Sequence, residues 1–265
     1  MGAAATAIFR RRPAQRHMKV LAHFRIVDDE AKARAVERLI KGSTPDFDFF
    51  FLVVLSVVMA TVGIVIDSPT VVIGSMLIAP ILFPVLSLAL GVVLGDYKVF
   101  YRALTTLGLA TGLSVSLSFV VVLMVPGDVA MTAELSSRTE PTLAYLAIAV
   151  VSGLAVSYAL VQPGLNETLP GIAISVALLP PLSASGALAA MGEWSASVGA
   201  FALFVVNVLG ILLATVVSFM LMNLAASRHA AIAVVKKEEK RIAEEEEAMR
   251  KIYRAREASA DRAAR

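Results

Sequence analysis

The chain has 265 residues, of which 58% are hydrophobic and 17% are charged, whereas soluble globular domains average about 45–50% apolar and about 25% charged residues. This composition excludes an ordinary soluble domain. The net charge of +3 comes from the two terminal segments, so it indicates contact with a membrane surface and not with nucleic acid.

The start of the chain shows no periodicity and carries several arginines. We expect residues 1–17 to form a basic, disordered arm, and both Met1 and Met18 remain open as the start of translation. No apolar core of about 7–15 residues follows the arginines, so no cleavable signal peptide is expected.

Residues 18–46 precede the first apolar run and predict a short cytoplasmic segment. Apolar residues alternate with others at 20–26, which is typical of a strand, and Asp28–Lys41 places its apolar residues on one side of a helix. The segment is too short to form a domain with its own core.

Six apolar runs follow, each close to the roughly 20 residues that a helix needs to cross about 30 Å of hydrocarbon. They are Phe47–Ile66, Val71–Val93, Leu104–Val125, Leu143–Val161, Ile172–Ala190 and Val198–Asn223. The sequence therefore predicts an all-α, polytopic membrane protein with six transmembrane helices. Residues 47–125 and 142–224 hold three spans each, and an extracytoplasmic loop at 126–141 separates them.

Positive charge near the span ends predicts the orientation. An even number of spans places both termini on one side, and that side also holds Lys41, Lys98, Arg102, Arg228, Lys236 and Lys237. Among the lysines and arginines near the predicted span ends, only Arg138 falls on the opposite side. We therefore expect a multi-pass protein of the cell (inner) membrane with both termini in the cytoplasm.

Residues 225–265 predict a charged cytoplasmic helix in which Glu247 and Lys251 have the favourable i,i+4 spacing. A heptad seam is formed by Ile232, Val235, Ile242, Met249 and Tyr253. Glu239 and Glu246 interrupt it. The interruptions favour a solvated single helix, and a weak oligomeric coiled coil is the alternative.

A motif recurs after a shift of one hundred residues. The matching residues are Asp67-Ser68 with Glu167-Thr168, Ser75 with Ser175, and Pro80 with Pro180. A second match pairs Gly95-Asp96-Tyr97 with Gly192-Glu193-Trp194. Because a unit of three spans is odd, its duplication would orient the second copy oppositely, which gives two inverted repeats of the kind found in secondary transporters.

The second and fifth spans are candidates for broken helices, because their prolines remove backbone donors and free polar backbone in the apolar layer. Transporters place binding sites where such helices meet. The candidate substrate- or ion-binding residues are Ser75, Pro80, Ser175, Pro180, Asp67, Ser68, Glu167 and Thr168. Two structural alternatives remain: the prolines and serines only kink their helices, and the acid-hydroxyl pairs only cap helix N-termini.

Small residues at every fourth position predict close helix packing. Three rows have this spacing: Gly108/Gly112/Ser116, Ala149/Gly153/Ser157 and Gly210/Ala214/Ser218. Together with the charged C-terminal helix, these rows predict a homo-oligomer within the lipid bilayer.

Enzyme chemistry finds no support in the sequence. The three histidines, His17, His23 and His229, lie outside the predicted spans and far apart, so neither a metal cluster nor a Ser-His pair is proposed. Cysteine is absent, which excludes disulfides and thiol catalysis. We expect no enzymatic activity, no cofactor, no metal and no nucleic-acid partner.

Two stretches carry a family resemblance. From Ala60 to Pro80 the sequence reads ATVGIVIDSPTVVIGSMLIAP, and from Gly171 to Pro181 it reads GIAISVALLPP. These stretches resemble the prokaryotic uncharacterised hydrophobic domain family, domain of unknown function 389, over about residues 47–224. The resemblance implies a prokaryotic membrane protein and supplies neither substrate nor active residues.

The leading hypothesis is an integral membrane transporter or channel for a small solute or ion, whose site lies between the broken second and fifth spans. The alternative is an oligomeric membrane scaffold or sensor protein without transport activity. The inverted repeat and the interrupted helices favour transport.

Overall fold

The computed structural model describes residues 28–127, 129–162, 164–165 and 178–263. All regular structure in these ranges is helical. The basic arm predicted at 1–17 and the strand predicted at 20–26 lie outside them. So do three candidate binding residues, namely Glu167, Thr168 and Ser175.

Ten α-helices and one 3₁₀ turn make up the described part. The first five are α1 Asp29–Gly42, α2 Phe47–Val65, α3 Pro69–Ile78, α4 Leu82–Leu94 and α5 Tyr97–Met124. The next five are α6 Ala133–Ser136, α7 Leu143–Val161, α8 Leu179–Ala190, α9 Trp194–Leu221 and α10 Arg228–Ala263, with the 3₁₀ turn Leu224–Ser227 before α10.

Helices α2, α5, α7 and α9 are long and apolar enough to cross a membrane, and α3 with α4 forms a fifth, bent candidate span. The protein is therefore all-helical and multi-pass over its described residues. Six spans are not established, because the predicted span Ile172–Ala190 is described only from residue 178, where α8 has 12 residues.

Helix α5 begins at Tyr97, whereas the predicted span begins at Leu104. Lys98 and Arg102 therefore belong to the first turns of this helix. The cause is a strong N-cap. The Asp96 carboxylate accepts hydrogen bonds from the backbone N–H groups of Lys98 and Val99, at 2.9 and 3.2 Å, and satisfies two otherwise unpaired donors.

The turns that join α4 to α5 and α8 to α9 have the same geometry. Gly95 and Gly192 have φ of 59° and 81°, and each donates its N–H to the carbonyl three residues earlier, at 3.2 Å in both turns. The next residues, Asp96 and Glu193, donate to the carbonyl five residues earlier, at 3.0 and 2.9 Å. Both are Schellman motifs, in which glycine tolerates the left-handed conformation.

Helices α4 and α8 lie at the centre of the bundle. All residues of α8 from Leu179 to Leu188 are buried, and α4 is buried from Pro84 to Gly91. Helix α4 packs against α5 and α9, and α8 packs against α9 and α5. Helix α2 then packs against α5, and α7 against α9.

One end of the bundle is covered by a collar, which consists of α1, the 3₁₀ turn and the first turns of α10 as far as Arg241. Helix α1 packs against α4, α7 and α10. Ala231, Val235 and Glu238 of α10 are buried. The prediction of a solvated helix is therefore wrong for these turns, because their apolar side covers α1. Beyond them, exposed Lys251 pairs with Glu247 at 2.7 Å, as predicted.

Candidate functional site

The break between α3 and α4 lies at Ala79–Ile81, and the two helices are bent by 49° there. Pro80 has no N–H, so the helical ladder of α3 ends with the Ala79 N–H donating to the Ser75 carbonyl at 3.2 Å. A new ladder begins when Phe83 donates to the Pro80 carbonyl, at 3.2 Å. The interruption predicted for the second span is therefore present, and its cause is the proline.

Ser75 lies one turn before this break and is fully buried. Its hydroxyl donates to the Val72 carbonyl of its own helix at 2.6 Å. The side-chain proton is therefore directed back along α3 and away from Pro80, which leaves only the oxygen lone pairs for another partner.

A chain of hydrogen bonds between buried groups crosses the bundle from α2 to α8. The Thr61 hydroxyl lies 2.9 Å from Ser118 Oγ on α5, and Ser118 donates to the Ser183 carbonyl on α8 at 2.6 Å. All three residues have zero exposed area. The chain joins a helix of the first predicted repeat to a helix of the second.

The Ser183 hydroxyl itself has no hydrogen-bond partner in the described structure, although it is fully buried. An unsatisfied buried hydroxyl costs about 1–3 kcal/mol, so such groups are rare without a functional reason. Thr61, Ser118 and Ser183 are not among the candidate binding residues predicted from the sequence. Hydroxyls are frequent in membrane helices, and only the helix crossing shows that these three meet.

Gly186 allows α8 to approach α5 at this crossing. A Cβ atom at position 186 would lie 2.3 Å from the Val115 carbonyl oxygen and 2.8 Å from Ser118 Cβ. No other residue fits without displacing backbone, so the short hydrogen bond between Ser118 and Ser183 depends on this glycine.

Pro180 is the second residue of α8 and is buried beside Pro181. Proline suits the first turn of a helix, where backbone N–H groups have no helical acceptor. Pro180 thus stands at the start of a described helix, and the segment before residue 178 lies outside the described residues.

Asp67 and Ser68 lie at the other end from Pro80 of the ten-residue α3, which is about 15 Å long at 1.5 Å per residue. Asp67 is exposed, with φ of 54°, and its carboxylate accepts the Glu134 N–H of α6 at 2.9 Å. Ser68 occupies the N-cap position of α3, but its side chain makes no capping bond. The Ser68 hydroxyl therefore does not cap α3, whereas the Asp67 carboxylate binds a backbone N–H in the first turn of α6.

A cavity of about 560 Å³ opens at this loop end of the bundle. It lies between the end of α5, the loop and the end of α8, and its lining includes Val125, Met131, Ala190 and the charged Glu193. Ala190 is seven residues from Ser183 along α8, or about 10 Å at the helical rise.

The small-residue rows of α7 and α9 pack closely, as predicted. A Cβ at Gly153 would lie 2.9 Å from the Ile211 Cα, and one at Gly210 would lie 2.8 Å from the Ala149 Cβ. These contacts bring the two helix backbones together without large side chains between them.

The row Gly108/Gly112/Ser116 on α5 does not pack inside the described chain. All three residues are exposed, and a Cβ at either glycine would have no neighbour within 4 Å. Helices α2, α4 and α8 cover other sides of α5, so the homo-oligomer that this row predicts stays a prediction.

A second polar cluster joins the collar to α2. Arg241 of α10 binds Asp46 at 3.0 Å, Glu238 at 2.9 Å and Glu245 at 3.2 Å. Asp46 is also the N-cap of α2, because its other oxygen accepts the Phe49 N–H at 3.0 Å. The hydrogen bond that Arg241 donates to the Asp46 carboxylate raises the pKa of Arg241, and Glu238 adds to this shift.

The family model for the domain of unknown function DUF389 matches residues 76–213, just over half of the chain. An uncharacterised protein of the archaeon Methanocaldococcus jannaschii is 29% identical over 207 residues. The match covers 73% of this chain and 62% of that relative, so the chain spans less than two thirds of the relative's length. No solved structure matches the chain.

Proposed function

The chain belongs to the DUF389 family, and we propose that it is a transporter or channel for a small solute or ion in a prokaryotic cell membrane. One observation carries the proposal. The fully buried Ser183 hydroxyl, which has no partner among the described residues, belongs to the residue whose carbonyl ends the hydrogen-bonded chain between the two halves of the bundle.

The broken helix supports the same function. Non-helical backbone at membrane depth is tolerated only where protein buries it or where it lines a water-filled cavity. Helices α4 and α8 have 13 and 12 residues, or about 18–20 Å each at the helical rise. Helix α4 follows the break at Pro80, so it begins inside the membrane as broken transporter helices do.

The packing supports two inverted repeats. Each central helix packs against the long helix that follows it and against the long helix of the other half. Helices α5 and α9 have 28 residues each, and each begins after a Schellman turn of the same geometry. A two-fold axis in the membrane plane would exchange α4 with α8 and α5 with α9.

The ends of the helices support a sixth crossing. Val161 lines a pocket with Ala35 of the collar, whereas Ala190 lines the loop-end cavity with Val125. Val161 and Ala190 thus lie at opposite ends of the bundle, as a sixth crossing would require. Helices α1 and α10 pack together, so both described ends lie on one side, which its lysines and arginines favour as the cytoplasm.

The proposed binding region lies around Ser183, between the break in α3–α4 and the start of α8. Its polar groups are hydroxyl and carbonyl oxygens, which suit a small polar solute or a hard cation. The cavity near Ala190 would be the entry from the loop end. Ser75, Pro80 and Pro180 stay as candidates for this region, and Ser175, which lies outside the described residues, stays a candidate from the sequence alone.

Water access to Ser183 tests the proposal without knowledge of the substrate. The chain has no cysteine, so Ser183→Cys can be reacted directly with a membrane-impermeant thiol reagent in proteoliposomes. A transport pathway predicts labelling, and Leu203→Cys, buried on α9, is the matched dry control. If neither Ser183→Cys nor Leu203→Cys reacts with the reagent, the proposal is contradicted.

The second candidate function is an oligomeric membrane scaffold or sensor without transport. The bond between Arg241 and the N-cap of α2 favours it, because this bond connects the C-terminal helix to a membrane helix. A scaffold needs no aqueous path, so it predicts an unreactive Ser183→Cys.

A further inference from the structure

A small pocket lies between α1 and the collar end of α7, apart from the proposed transport region. Its volume is about 220 Å³. The walls are formed by Ala35, Leu160 and Val161, and the polar groups that line it come from Arg34, Arg38 and Gln162. No carboxylate is among the described residues that line this pocket.

The two arginines are one helical turn apart, so both guanidinium groups reach the same side of α1. Guanidinium groups bind phosphate through paired, charge-assisted hydrogen bonds. Arg34 also pairs with Glu30 at 2.5 Å, but both side chains are exposed, at 57% and 76%. An exposed pair of this kind is weak, so an anion can displace the carboxylate.

The surroundings place the pocket beside lipid. Helix α7 exposes the large apolar residues Ile148, Val151 and Leu154 on its outer face, and its final residues, Leu160 and Val161, are buried beneath α1. The pocket thus sits where a lipid-facing helix ends, which is the depth of phospholipid headgroups.

We propose that this pocket binds a phosphate group, with Arg34 and Arg38 as its ligands and the Gln162 amide as an additional donor. The phosphate is that of an anionic lipid headgroup or of soluble phosphate. The apolar wall and the position at the end of α7 fit both sources. The proposal is independent of transport.

The experiment uses the full chain in detergent micelles, titrated separately with dioctanoyl phosphatidylglycerol, dioctanoyl phosphatidylcholine and inorganic phosphate, with the melting temperature and calorimetric binding as readouts. We expect the anionic lipid or inorganic phosphate to bind. Arg34→Gln with Arg38→Gln should weaken that binding by about tenfold or more, since two charge-assisted hydrogen-bonding groups are lost. Binding by phosphatidylglycerol alone identifies a lipid site, and competition by inorganic phosphate identifies a soluble anion.

Lys240→Gln with Lys251→Gln is the matched control, because it removes two exposed positive charges from the same side of the protein. It should bind like the unchanged chain. The lysine variant, Arg34→Lys with Arg38→Lys, keeps the charge and should bind more weakly, because it loses the planar fork. Equal binding by the glutamine and control variants, equal binding of phosphatidylcholine, or no binding of either anion would overturn the proposal.

Discussion

Helices α4 and α8 both pack against the long helices α5 and α9, but they carry different chemistry. In α4, the buried Ser87 donates its hydroxyl to the Leu39 carbonyl of the collar at 2.9 Å. In α8, the Ser183 hydroxyl has no partner in the described structure, and Gly186 allows α5 to approach closely. Two helices with the same packing partners can therefore differ in whether their buried hydroxyls are paired.

The largest expected effect comes from Gly186→Ala, which breaks the contact that distinguishes α8 from α4. The added methyl would meet the Val115 carbonyl at 2.3 Å, and overpacking of this kind costs about 1–3 kcal/mol. Thermal unfolding in detergent measures the loss. Gly112→Ala is the matched control, because nothing lies within 4 Å of its Cβ; equal melting of both variants would refute the close crossing.

Arg241→Gln tests whether the collar stabilises the part of the bundle that contains α2. It removes the ion pairs with Asp46 and Glu238 and should cost about 1 kcal/mol, because Arg241 is partly exposed and its pairs are screened by water. Limited proteolysis of α10 should become faster. The control Lys240→Gln loses only an exposed pair at 3.5 Å, and equal proteolysis of the two variants would speak against the link.

Ser118→Ala removes the hydroxyl at the centre of the hydrogen-bonded chain between α2 and α8. The variant loses the bonds to Thr61 and to the Ser183 carbonyl, and hydrogen bonds between membrane helices contribute about 0.6–1.7 kcal/mol. Ser114→Ala is the control, since its hydroxyl donates only to Ala110 of its own helix at 2.7 Å. A Ser118 variant as stable as the Ser114 variant would exclude the chain as a link between halves.

The smallest expected effect concerns pH at the collar. The hydrogen bond from Lys41 lowers the pKa of Glu37. Because the pKa of Glu37 is lower in the folded state than in the unfolded state, its ion pair with Lys41 stabilises the fold at pH values above the unfolded-state pKa. This stabilisation is lost as the pH falls through the folded-state pKa. Between neutral pH and about pH 4, the melting temperature of Glu37→Gln should therefore fall less than that of the unchanged chain; an identical fall would contradict this.

The fold was predictable where one physical rule acts alone. The lengths of the apolar runs predicted α2 and α7 to within a residue, and Pro80 predicted the break, because a proline without an N–H ends a helical ladder wherever it stands. The start of α5 was placed too late. Hydropathy locates the apolar layer, whereas the Asp96 cap decides where the helix begins.

The site was less predictable. Sequence spacing selected Ser75 and Asp67, but their hydrogen bonds run to Val72 and to α6. Ser118 and Ser183 are separated by 65 residues, so only the crossing of α5 and α8 brings them together. The spacing of residues along a sequence describes one helix at a time. It contains no information about which side of a neighbouring helix that helix will contact.

The opposite orientation of the two halves is tested most directly at Lys98 and Ser195. These residues stand at the same place after the two Schellman turns, and both are exposed. Lys98→Cys and Ser195→Cys, each the sole cysteine of its chain, are labelled with an impermeant thiol reagent applied to either side of the membrane. The account predicts labelling of Lys98→Cys from the cytoplasmic side only and of Ser195→Cys from the opposite side only. Labelling of both from the same side would contradict it.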